Sequence, residues 1–100
     1  MKVVLGFGSC AEFSPNHVWT RIADECADGM VLLGDTPYID TTKLEAMRWA
    51  YRRFASHREL TAAFQRIPFW ATWDDHDFGR NSSDGTLPNK DASRQAFLEY

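Results

Sequence analysis

The stretch Ala71-Thr72-Trp73-Asp74-Asp75-His76-Asp77-Phe78-Gly79-Arg80-Asn81, ATWDDHDFGRN at 71–81, sets three aspartates and a histidine side by side straight after an aromatic run. A solvated turn or a helix N-cap would use such residues, and so would a metal site. The decision rests on where the run falls relative to the other unusual residues. Phe69 to Trp73 is aromatic and β-favouring, so it reads as a strand that delivers the acidic run at its carboxyl end.

Upstream, Val3-Val4-Leu5-Gly6-Phe7 predicts a strand buried on both faces, leading into Gly8-Ser9-Cys10. Ser14 and Pro15 predict a helix start, with Val18, Trp19, Ile22, Ala23 and Cys26 on one face and Asp28-Gly29 as the stop. Met30 to Leu33 predicts a second buried strand, ended by Gly34-Asp35, with Tyr38 in the loop TPYID that follows. Leu44, Met47, Tyr51 and Phe54 repeat at helical spacing, and so do Leu60, Ala63, Phe64 and Ile67, across a bend near Ser56-His57. Downstream, Gly79 to Asn89 is polar and loop-like, and Asp91 to Tyr100 resumes a helical pattern with Ala92, Ala96 and Phe97 inward.

The order β-α-β-αα-β-α predicts an α/β unit with right-handed crossovers and a parallel sheet. Ligands of such sheets gather beyond the carboxyl ends of the strands. Cys10, Asp35 with Tyr38, and Asp74 to Asp77 each follow a predicted strand, so three clusters far apart in sequence should meet on one edge. That convergence favours a metal site over an unrelated polar turn.

One hundred residues suit one small domain. With 44% apolar and 25% charged residues, neither disorder nor a membrane span is indicated. A net charge of -3 weighs against a nucleic-acid surface, which needs clustered basic residues. Arg48, Arg52, Arg53 and Arg58 do cluster, but at the spacing of a helix's wet face. The opening MKVVLGFGSC has an apolar run shorter than the roughly seven to fifteen residues of a secretion signal, which makes the cytoplasm the default compartment and secretion dependent on an upstream segment. Cys10 and Cys26 are too sparse for a disulfide framework and read as free thiols.

Packed carboxylates and an imidazole repel or shift one another unless a cation is present. Asp35 and Asp75 offer hard oxygens, Tyr38 a phenolate and Cys10 a thiolate, a mixed set that suits iron better than magnesium. Taken singly the residues have plainer readings. Asp35 could cap a turn, Cys10 and Cys26 could be small buried residues, Trp70 and Trp73 could be packing, and His17 and His57 read as exposed helical residues without a role. Gly6-Phe7-Gly8-Ser9-Cys10-Ala11 also fits a dinucleotide-binding turn, yet Ser14-Pro15 puts the helix start too far on, and the acidic run is left unexplained. A Cys10 and His76 hydrolase pair leaves Asp35, Asp74 and Asp75 surplus.

With FGSCAEF, LLGDTPYID and ATWDDHDFGRN in series, the whole chain resembles the PhoD-like (alkaline phosphatase D) branch of the calcineurin-like metallophosphatases. The resemblance implies a binuclear phosphomonoesterase or phosphodiesterase in which a metal-held hydroxide attacks phosphorus in line. It implies Cys10 and Tyr38 as ligands of a ferric ion, Asp35 as the bridge, Asp75 as ligand of a second metal, calcium or another divalent ion, and Asp74 as the fallback. His76 would be the catalytic histidine and Asn81 would orient the phosphoester substrate. The alternative is a noncatalytic metal- or nucleotide-binding α/β module.

Such enzymes are longer than this chain, take further ligands from later strands and fold as a two-sheet α/β sandwich. Residues 1–100 are therefore expected to be the N-terminal part of a single metallophosphatase domain, a fragment with an incomplete site. An open edge at the third strand is expected to allow self-association.

Overall fold

The computed structural model describes residues 1–12, 17–26, 28–88 and 90–100. The helix start expected at Ser14-Pro15 lies outside the described residues, as does Asn89. The elements run β1 (Leu5–Gly8), α1 (Val18–Glu25), β2 (Gly29–Leu32), α2 (Leu44–Ala55), α3 (Arg58–Arg66), β3 (Phe69–Ala71), α4 (Asp75–Phe78) and α5 (Lys90–Glu99). The expected order holds, with one addition: the acidic run is itself a turn of helix, α4.

The strands form one parallel sheet in the order β1-β2-β3, with Gly6 opposite Met30 and Leu32 opposite Ala71. Side chains alternate across a strand, so Gly6, Gly8, Met30 and Leu32 share a face. That face carries the first core, where Met30 and Leu32 pack with Trp19 and Ala23 of α1, Phe54 of α2, and Leu60, Ala63 and Ile67 of the α3 region. Trp19 meets Phe54 edge-on with ring centres 5.9 Å apart. The absence of a side chain at Gly6 lets α1 approach, since a Cβ there would lie 2.5 Å from Cys26 Sγ.

The opposite face corrects the expectation that the first strand is buried on both sides. Leu5, Phe7 and Trp70 are 54%, 74% and 53% exposed, because the helices that supply the first core cover only the other face. Val18, expected inward, is exposed as well, while Trp19 and Ala23 alone of that helix are fully buried. The third strand ends at Ala71 rather than Trp73.

A second core joins α2 to α5 and to the loop after β2, through Ile39, Met47, Ala50, Tyr51 and Ala96. Burying Met47 completely removes a side chain worth about 1.5–3 kcal/mol from water. Tyr100 packs against both cores and stacks on Tyr51 at 4.6 Å. Arg48 ties α2 to Glu99 of α5 with two hydrogen bonds, Nε to Oε2 at 2.7 Å and Nη2 to Oε1 at 2.9 Å. The loop after β2 and α4 are thereby held against a packed base. Among the described residues no helix is long and apolar enough to cross a membrane.

Candidate metal centre

The loops leaving the three strands are stitched together. Leu33 N–H donates to Gly8 O at 2.8 Å, Thr72 N–H to Leu32 O at 2.9 Å, and Cys10 N–H to Gly34 O at 3.2 Å. Side chains then take over: Asp35 N–H donates to Asp77 Oδ2 at 2.7 Å, and His76 N–H donates to Asp35 Oδ1 at 3.1 Å. The three clusters thus meet beyond the carboxyl ends of the strands.

Two backbone features make the meeting possible. Gly34 has φ 100°, a region that favours glycine, and lies against Trp73 and Asp74. Cys10, Asp35 and Asp40 adopt φ of 61°, 49° and 50°, a left-handed conformation that costs non-glycine residues of order 1–3 kcal/mol each. Such strain concentrates where geometry serves function rather than stability.

The acidic run divides its labour. Asp74 and Asp77 form a reciprocal capping box on α4, with Asp74 N–H donating to Asp77 Oδ2 at 2.8 Å. Asp75 and His76 instead join Asp35: one carboxylate oxygen of each aspartate and one ring nitrogen of His76 all lie within 4.8 Å of one another. The N-cap reading therefore describes Asp74 and Asp77, while Asp75 and His76 stand where a metal ion could be held.

Asp35 is buried, and desolvation pushes its carboxyl above the usual carboxylate range, with the nearby charges of Asp75 and Asp74 adding to the rise. A cation would remove that penalty. Asp75 is held below the usual range, first by Ser82 N–H, which donates to its Oδ2 at 2.6 Å. Two carboxylates and an imidazole form a donor set that a divalent or ferric ion accepts.

His76 Nδ1 pairs with the Asp40 carboxylate, which raises the histidine's pKa. The Tyr38 ring stands edge-on to the imidazole with centres 4.7 Å apart. The neighbouring Cys10 thiol is the largest cause pushing the Tyr38 phenol up to about 12, with desolvation next. Cys10 is exposed and is not one of the three converging residues. Asn81 lies exposed in the turn after α4, next to the Ser82 amide that holds Asp75.

Asp40 and Asp77 make contacts that the sequence reading does not foresee. The Asp74 to Asp77 spacing is that of a capping box, with Asp in place of the usual Glu or Gln, and this was the one available signal for Asp77. Asp40 closes the quoted stretch LLGDTPYID, but that reading gives it no role of its own. His57, expected to be exposed, is half-buried, with Nδ1 sealed from solvent. His17 is exposed and pairs with Glu59 at 2.6 Å.

Superposed on a solved structure titled "Structure of PhoD", the chain matches with a TM-score of 0.78 over 96% of its length, at 22% sequence identity. The chain has a PhoD-like fold. It spans 24% of the length of that PhoD chain. No protein-family model and no curated protein matches it. The PhoD-like unit is the three-stranded parallel sheet with its helices, the part that brings Asp35, Asp75 and His76 together.

Proposed function

We propose that the chain carries one wall of a metal-dependent phosphoester hydrolase site. The observation that carries this reading is the convergence of Asp35, Asp75 and His76 within 4.8 Å at the carboxyl edge of a parallel sheet. Asp35 and Asp75 would hold the metal, with Cys10 and Tyr38 as thiolate and phenolate donors beside them. A ferric ion with calcium or another divalent ion suits that mixture. When bound, such a pair polarises phosphoryl oxygens and makes water nucleophilic at neutral pH.

The chain's own residues do the rest. Asp40 occupies His76 Nδ1 and fixes the ring, which leaves Nε2 to deliver a proton to the departing oxygen. Ser82 N–H orients the Asp75 carboxylate. Asn81, exposed beside Ser82, would orient the phosphoester.

The Asp35 and Asp75 carboxylates by themselves do not fill the six to eight positions that calcium takes. The remaining ligands belong to a second wall. The isolated chain accordingly binds metal weakly and turns over slowly, and the edge of β3 is where it would self-associate. The same half-filled set favours, as second reading, a noncatalytic metal-binding module.

The test is metal uptake and hydrolysis of bis(p-nitrophenyl) phosphate and p-nitrophenyl phosphate by protein loaded with iron and calcium. The hydrolase reading expects Asp75→Asn to lose metal and turnover together. Undiminished turnover in that variant would overturn it, and metal uptake without any turnover in the wild type would favour the noncatalytic module.

A further inference from the structure

Asp77 is 3% exposed and is not among the three converging donors. Its Oδ2 accepts two backbone amides, Asp35 N–H at 2.7 Å and Asp74 N–H at 2.8 Å, from loops that leave different strands. Its Oδ1 accepts the Tyr51 hydroxyl at 3.4 Å, and Tyr51 is anchored in the second core and stacked on Tyr100. One oxygen thus fixes the spacing between the residue that carries the Asp35 carboxylate and the residue just before Asp75. The other fixes the whole assembly to α2.

We infer that Asp77 is a positioning residue of the metal centre, setting the distance between the Asp35 and Asp75 carboxylates through the two amides it holds. The inference rests on the metal-centre reading above. It distinguishes Asp77 from a residue that merely stabilises the fold, because the amides it holds belong to, or directly precede, the two carboxylate donors. Carboxylates that stand beside a metal site without ligating it commonly act this way, and their loss costs about 10–100-fold in metal affinity.

The experiment is a manganese titration of wild type and of the Asp77→Ala, Asp77→Asn, Asp35→Asn and Leu60→Ala variants, each with its melting temperature. Leu60 lies in the first core, fully buried and outside the centre, and serves as a destabilised control. Asparagine keeps an oxygen for the two amides and can turn its Nδ2 to the Tyr51 hydroxyl. Asp77→Asn should therefore bind within about threefold of wild type, while Asp77→Ala falls by about 10–100-fold and Leu60→Ala binds as wild type despite its lower melting temperature. Asp77→Ala binding no worse than Leu60→Ala would overturn the positioning role. Should Asp77→Ala fail to fold, Asp77→Ser, whose shorter side chain cannot span both amides, carries the same expectation and the same refutation. Wild type that takes up no more manganese than Asp35→Asn would instead bring down the metal-centre reading itself.

Discussion

Gly34 and Asp74 touch so closely that a Cβ on Gly34 would lie 2.6 Å from both the backbone nitrogen and the Cβ of Asp74. The loop carrying Asp35 and the entry to α4 are therefore apposed backbone to backbone. Gly34→Ala must move one of them, and it must also hold alanine at φ 100°. Strain and overpacking each cost roughly 1–3 kcal/mol, so the urea midpoint should drop clearly. A midpoint equal to wild type would show that the two loops can separate freely.

The Arg48–Glu99 pair gives the helical layer a pH dependence. Hydrogen bonds from Arg48, then Gln95, hold the Glu99 carboxyl at about 2, below its ordinary 4.5. A depressed carboxyl contributes stability that is fully present above the unfolded value and disappears as pH falls through the folded one. The docking of α5 on α2 should thus weaken between about pH 4.5 and 2, and added salt should weaken it further because the pair is partly exposed. Glu99→Gln should flatten this part of the stability profile, as followed by circular dichroism; an unchanged acid limb would refute the assignment.

Asp40 should matter to turnover more than to binding. It holds His76 Nδ1, and if His76 is the general acid proposed above, such a group contributes roughly 10²–10⁴-fold to rate. Asp40→Asn should lower kcat by at least about tenfold with little change in KM, a fraction of that contribution because the ring remains but is less well held. Steady-state kinetics on the metal-loaded protein decide it, and an equal effect on KM alone would place Asp40 in substrate binding.

The two faces of the sheet and the packed base should respond to mutation very differently. Phe7, 74% exposed, points away from the helices, and Phe7→Ser should change stability by no more than about 0.5 kcal/mol. Met47, with no exposed surface, should cost about 2–5 kcal/mol on truncation to alanine. Chemical denaturation of both variants is the check, and a costly Phe7→Ser would mean that something covers that face.

Much of the architecture is local information. Leu44, Met47, Tyr51 and Phe54 announce α2 by their spacing, and Leu60 and Ala63 announce α3, because a helix repeats every 3.6 residues whatever it packs against. Short apolar runs ending in Gly8 and Gly34 likewise mark where β1 and β2 deliver the chain to the edge. The alternation that left Leu5 and Phe7 exposed was less legible, since an apolar run does not say whether one or both of its faces will be covered.

The sequence by itself determined which residues could carry chemistry and that Cys10, Asp35 and the acidic run follow strands of a parallel sheet, because side-chain type and strand order are written along the chain. Tertiary structure decided how the acidic run is shared. It made Asp74 and Asp77 a capping box, set Asp75 and His76 beside Asp35, and gave Asp40 the histidine to hold. A carboxylate's role depends on the donors that reach it. The Asp35 amide that reaches Asp77 and the His76 ring that reaches Asp40 come from 42 and 36 residues away, a distance across which only packing brings them together.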